Sequence, residues 1–302
     1  MSGPVNAVKG QTEAWLTMGK VLDLLKGVGL ACLCLAGDFD AAPAWADEMV
    51  QFESAAVKPT PFQERNAQER GETTKFVPGI PLRGYLTRPP GEGPFPAIVA
   101  LHGCAGVLAN DRQVWPQRLS SWGYVVLVVD SFGTRGTKDT CHSLLSDRVY
   151  DAYGALEFLS KASFVDPRRI ALMGFSAGGI ATLEAVQLGG AERLMQHKFS
   201  VAIAYYPNCS VASGNMAVPT LILIGELDDF SPAQKCREMV AQRRDKGSPV
   251  QLNVYEGARH AFDAEEFKTG VEAYGHRVEY NAAAADRSES DVHAFLKQAF
   301  GD

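Results

Sequence analysis

The chain has 302 residues, 46% hydrophobic and 21% charged, with a formal net charge of −6. This is ordinary globular composition, with enough chain to bury the core of one large α/β domain or two small ones. The acidic balance, without a long block of like charges, argues against a surface built for nucleic acid, which takes a concentrated basic patch.

In chain order the first pattern is a targeting segment. From Met18 the sequence supplies Lys20 and Lys26, a short apolar run over 28–37, and the small-x-small site Ala44-Trp45-Ala46. These are the three parts of a secretory signal in their required order. Residues 1–17 are foreign to that pattern. The expectation is a signal that starts at Met18 and is cut after Ala46, leaving 47–302 as one periplasmic or secreted domain. The apolar run is too short for a membrane span, which takes ~20 residues, so no stable span is expected after cleavage.

Residues 48–54 read as a first strand. Residues 58–80 carry prolines, charges and Gly71, and read as loop with at most one strand near 73–77. Residues 82–87 form a second strand, followed by strong turn chemistry in Pro89-Pro90-Gly91-Glu92-Gly93-Pro94. The chain then alternates. The run 96–102 is apolar between turn residues, as a doubly buried parallel strand is. Residues 111–122 look helical but are interrupted by Pro116. The clearest buried strand is 124–130, and 145–162 has apolar residues at helical spacing. Strands at 169–174, 201–206, 220–225 and 250–255 are interleaved with helices at 177–188 and 232–246, and 286–300 closes the chain as a helix.

Strands alternating with helices imply crossover units, hence an α/β fold with a mostly parallel sheet covered on both faces. Such sheets bind ligands at the carboxyl ends of their strands. Functional residues are therefore expected just after strands.

The strand ending near Met173 runs into Gly174-Phe175-Ser176-Ala177-Gly178-Gly179 and then a helix. This is the G-x-S-x-G elbow in its required setting of strand, turn and helix, and it marks Ser176 as a nucleophile. Gly174 and Gly178 fit because the turn is too tight for side chains, and the helix behind Ser176 aims its positive end at the site. An elbow serine needs an acid and then a histidine further along the chain. His102, His142 and His197 come too early for that order, and His276 and His293 fall in a polar loop and the last helix. His260 follows a strand and turn and is the candidate base. The acid belongs after the strand 220–225. Asp228 is the choice, with Asp229 as competitor and Glu226 third. A buried carboxylate there would fix the imidazole tautomer. Two backbone N–H groups complete such a site, one from Ala177 and one from the loop His102-Gly103-Cys104-Ala105-Gly106, where Cys104 is the expected donor.

With these residues in place, the chain resembles the dienelactone hydrolase family of α/β-hydrolases. The matching stretches are Leu101 to Gly106, Asp130 to Gly136, Gly174 to Gly179, Gly225 to Asp228 with Pro232, and His260-Ala261-Phe262, spread over about residues 80–300. The resemblance implies the same triad of Ser176, Asp228 and His260. It also has a departure: the dienelactone hydrolases proper use a cysteine nucleophile, and this chain has Ser176. A serine suits general ester hydrolysis, as in the exported serine-bearing relatives, so a small-molecule ester or lactone is the expected partner. Nothing suggests a metal or an organic cofactor. Arg135, after the strand ending at Asp130, is read as a brace for its glycine-rich loop, with recognition of a substrate carboxylate as the alternative.

Cys104, Cys141, Cys209 and Cys236 remain after the signal is lost, and four cysteines allow three pairings. Cys209–Cys236 is the preferred pair, each lying just past a neighbouring strand end, which leaves Cys104–Cys141. Three other readings compete with the esterase. One is a prolyl-oligopeptidase-type peptidase on the same fold. Another is a non-catalytic binding protein, and the last is a thiol enzyme using Cys104 with His102.

Overall fold

The apolar runs 96–102 and 124–130 become neighbouring strands in the middle of an eight-stranded sheet. In the computed structural model the described residues are 47–301, apart from 58, 60, 75, 143–147, 244 and 245. The signal expected over 18–46, with Cys32 and Cys34, lies outside the described residues.

The strands are β1 (Asp47–Glu53), β2 (Pro81–Thr87), β3 (Phe95–Leu101), β4 (Val125–Asp130), β5 (Val165–Phe175), β6 (Val201–Tyr205), β7 (Thr220–Gly225) and β8 (Val250–Tyr255). They lie in the order β1-β2-β4-β3-β5-β6-β7-β8. β2 runs antiparallel to both β1 and β4, and every pair from β4 to β8 is parallel. All residues of β4 and β7 are buried, which explains why these strands read as continuous apolar runs rather than alternating ones.

The helices are α1 (Pro61–Glu69), α2 (Trp115–Ser121), α3 (Arg148–Ser160), α4 (Ala177–Val186), α5 (Ala233–Ala241) and α6 (Ala282–Phe300). From β3 the chain first steps one way to β4, then reverses past β3 to β5 and continues outward. Right-handed crossovers therefore send α2 to one face and α3, α4 and α5 to the other. α6 joins α2: Arg118 pairs with Glu289 at 3.0 Å, and the Trp122 and His293 rings stack at 4.4 Å. The reversal opens a crevice at the carboxyl ends of β3 and β5, the usual ligand position in such sheets.

The structure corrects several element boundaries. Residues 61–69 are helical rather than loop, and residue 77 makes only an isolated bridge with Val57. The expected helix over 111–122 is a π-turn, Asn110–Val114, leading into α2, with Pro116 in its first turn. A proline is harmless there, because first-turn N–H groups have no carbonyl to meet. α5 is shorter than expected and β5 longer. α6 begins earlier, where the Asn281 side chain caps it by accepting from Ala284 N–H at 3.1 Å. The polar stretch around His276 is a hairpin of β9 (Val271–Ala273) and β10 (His276–Val278). Among the described residues, no helix is long and apolar enough to cross a membrane.

Candidate active site

β5 delivers the chain into Ser176 at φ 52° and ψ −114°, and α4 starts at the next residue. This left-handed conformation is costly for a residue with a Cβ. It is held by Ser176 N–H donating to Tyr205 O and by Ile180 N–H donating to Ser176 O, both at 2.9 Å. A side chain at Gly174 would run into the Gly178 carbonyl and Thr182 Oγ1. One at Gly178 would run into the carbonyls of Leu101 and His102. The elbow glycines thus let the turn sit directly against the end of β3.

His260 follows β8 and its turn. Its Nε2 lies 2.9 Å from Ser176 Oγ and its Nδ1 2.8 Å from Asp228 Oδ2. The Asp228 side chain is fully buried, and its other oxygen accepts N–H bonds from Phe230 at 3.0 Å and Ser231 at 2.7 Å. A carboxylate so held can only accept from His260, so the ring proton sits on Nδ1 and Nε2 is left to face Ser176. The competing acids are elsewhere: exposed Asp229 lies 3.7 Å from His276 Nδ1, and Glu226 accepts from Gly257 N–H at 3.2 Å. The His260 ring lies between those of Tyr206, at 4.6 Å, and Phe230, at 4.9 Å.

The loop after β3 is fixed by buried His102. Its Nε2 accepts from Ser131 N–H at 3.3 Å, so the proton is on Nδ1, which donates to Gly103 O at 2.7 Å. Burial, reinforced by the Arg148 charge, pushes its pKa down to about 3, so the ring stays neutral at working pH. Buried Arg148 donates to the His102 carbonyl. Cys104 is disulfide-bonded to Cys141 with Cα atoms 4.9 Å apart, and its carbonyl accepts from Thr140 N–H at 2.9 Å. Cys209 and Cys236 form the second disulfide. Both bridges match the preferred pairing, and the one at Cys104 removes the thiol that a cysteine mechanism would need. Ala177 heads α4, where its N–H has no helical carbonyl to meet. Arg135 grips both oxygens of Asp151, at 2.7 and 2.8 Å, and donates to Ser131 O at 2.7 Å. It is absent from the cavity wall.

That cavity, of about 260 Å³, is lined by Ser176 and His260, by the Gly103–Ala105 turn with Cys141, and by apolar side chains including Phe175, Phe230 and Phe267. Sequence reasoning missed several residues in and behind its wall. Buried Asp263 accepts from Asn110 Nδ2 at 2.8 Å, Trp115 Nε1 at 2.8 Å and Tyr206 OH at 2.9 Å, and so ties the wall behind His260 to the start of α2. Asp111 lines the cavity itself. Burial, with the Asp263 and Glu266 charges adding to it, raises its pKa to about 7, even though it accepts the Leu108 N–H at 3.0 Å. Four non-glycine residues among those described have positive φ, namely Ser176, Tyr206, Ala261 and Tyr274, and all four line this cavity.

Fold and site geometry together define an α/β-hydrolase. The family model for dienelactone hydrolases matches residues 82–300, and the chain belongs to that family. It is similar to Protein usf of Aquifex pyrophilus, at 24% identity over 198 residues, 61% of this chain and 83% of the relative. Among solved structures, a dienelactone hydrolase-like promiscuous phosphotriesterase from metagenomic libraries shares the fold with a TM-score of 0.60. Its identity is 18%, over 83% of this chain and 98% of that one. Thermogutta terrifontis esterase 2 gives a TM-score of 0.57 at 17% identity, over 74% of this chain and 90% of that one.

Proposed function

We propose that this chain is a serine hydrolase that cleaves carboxylic esters or lactones through an acyl-enzyme. The observation that carries the reading is His260, hydrogen-bonded at once to Ser176 Oγ and to buried Asp228. Asp228 holds the Nδ1–H tautomer. Nε2 then takes the Ser176 proton as Oγ attacks the ester carbonyl. The charge on the carbonyl oxygen is met by the N–H groups of Cys104 and Ala177, and a preorganised donor of this kind is worth ~3 kcal/mol to the transition state. Protonated His260 returns the proton to the leaving alcohol. Water, deprotonated by the same Nε2, frees the acid and regenerates Ser176.

The dienelactone hydrolase family match over residues 82–300 supports an ester or lactone substrate over a peptide. The signal pattern and the two disulfides support export to an oxidising compartment. Hydrolysis of a short-chain aryl ester by residues 47–302, beside Ser176→Ala, is the test. Turnover should fall at least ~10³-fold in the variant. Equal turnover in both would remove Ser176 from the mechanism.

A further inference from the structure

Asn110 and Asp111 are polar side chains in a wall that is otherwise largely apolar, and the triad uses neither. Their chemistry is constrained from behind. Asp263 can only accept, so the Asn110 amide must turn its NH₂ toward that carboxylate. This leaves Asn110 Oδ1 as the other end of the amide. The residue is 4% exposed, and Oδ1 has no hydrogen-bond partner. A buried acceptor without a donor is unfavourable, so a ligand donor that reaches it from the cavity gains by meeting it. Asp111 stands next to it with one oxygen held by Leu108 N–H. Glu266 accepts from Asn110 N–H at 3.3 Å, so a third carboxylate reaches this corner. Among the described residues lining the cavity there is no lysine or arginine.

We infer that Asn110 and Asp111 form a specificity subsite for a hydrogen-bond donor, a hydroxyl or an ammonium group, on the otherwise apolar part of the substrate that enters the cavity. Above pH 7, where Asp111 is ionised, the same corner rejects a carboxylate, since it offers acceptors and negative charge. The preferred substrate is therefore an uncharged or cationic ester or lactone, not a carboxylate-bearing lactone. This rests on the ester-hydrolase reading above and adds to it the identity of the bound group.

Two mirrored series of straight-chain esters test it. One carries a terminal hydroxyl, ammonium, methyl or carboxylate group on the acyl chain, and the other carries it on the alcohol, each at several lengths. In one series at least, kcat/KM for the hydroxyl or ammonium ester should exceed that for the methyl ester by ~10-fold or more, because a polar site rejects an analogue that leaves it unpaired. Above pH 7 the carboxylate ester should fall below the methyl ester. Asp111→Leu should bring the donor-to-methyl ratio to within about twofold, and Asn110→Ala should compress the same ratio if the first variant folds poorly. Because each ratio is taken within one protein, general loss of fold cancels. Ser176-dependent turnover with equal rates for donor and methyl esters, or a ratio unmoved in both variants, would overturn the subsite alone. Absence of turnover across both series would overturn the subsite together with the ester reading.

Discussion

His102 and Asp111 are both buried near the candidate triad, and burial shifts both toward the neutral form, one pKa down and the other up. For His102 the folded pKa, about 3, lies below its ordinary 6.5. The unfolded chain binds that proton first, so stability falls as pH drops from about 6.5 toward 3. For Asp111 the folded pKa, about 7, lies above its ordinary 3.8. There the folded chain holds the proton longer, and stability falls as pH rises from about 4 to 7. Between pH 4 and 6.5 the two slopes oppose each other. Asp111→Asn removes one of them. Its stability relative to the parent should grow with pH and level off above 7, with a Tm advantage at pH 8 over that at pH 5 of ~5 °C or more. Its urea midpoint should also fall more steeply with acid below pH 6.5 than the parent's does. Thermal scans at several pH values check the first outcome, and a Tm difference constant across pH would contradict the Asp111 assignment. At this scale Ser176, His260 and Asp228 are legible in the sequence, since each follows its strand at once or after a short turn and their order along the chain is restricted. Asp263 is not, because its donors Asn110, Trp115 and Tyr206 are 153, 148 and 57 residues away.

Among the elements, strands with continuous apolar runs were readable because parallel strands buried on both faces leave no alternation to misread. α1 was not: its mean hydropathy is low and most of its described side chains are exposed, so it shows little apolar periodicity. The β9–β10 hairpin was missed for a related reason, with strands of three residues each, too short to show a period. The loop after β3 is clamped by the Cys104–Cys141 bridge and by Thr140 N–H on the Cys104 carbonyl. The Cys209–Cys236 bridge joins the loop after β6 to α5, and neither of its cysteines lines the cavity. Replacing both cysteines of a pair by serine should therefore separate two effects. Loss of either bridge should lower stability by ~2–4 kcal/mol. Only loss of Cys104–Cys141 should also lower kcat, by ~10-fold or more, as the expected oxyanion donor loses its fixed position. Equal kcat in the two double variants would show that the bridge has no part in positioning that loop.

For the whole molecule, the decisive fact is the reversal of strand order about β3. It was legible only as a class, because alternating elements announce a parallel sheet without giving its order. The reversal brings the ends of β3 and β5 side by side, and Gly178 is where the first turn of α4 packs on the end of β3. Gly178→Ala would force a methyl group against the carbonyls of Leu101 and His102. Both the elbow and the loop after β3 would have to move. The expected result is a protein that is either poorly soluble or folded with esterase activity down ~10²-fold or more, read from circular dichroism and turnover on one sample. A folded variant with parental activity would show that the elbow and the end of β3 need not meet so closely.

The four left-handed residues around the cavity bear on how the protein can be improved. Steric strain elsewhere in a chain is usually relieved with little consequence, but here it is gathered at Ser176, Tyr206, Ala261 and Tyr274. Glycine at Ala261 or Tyr274 would relax the backbone locally, yet these positions also shape the space in which substrate is held. Selection for heat resistance and selection for turnover would therefore pull in opposite directions at the same few codons. A sturdier variant with its activity intact should be sought at sites well away from this cavity.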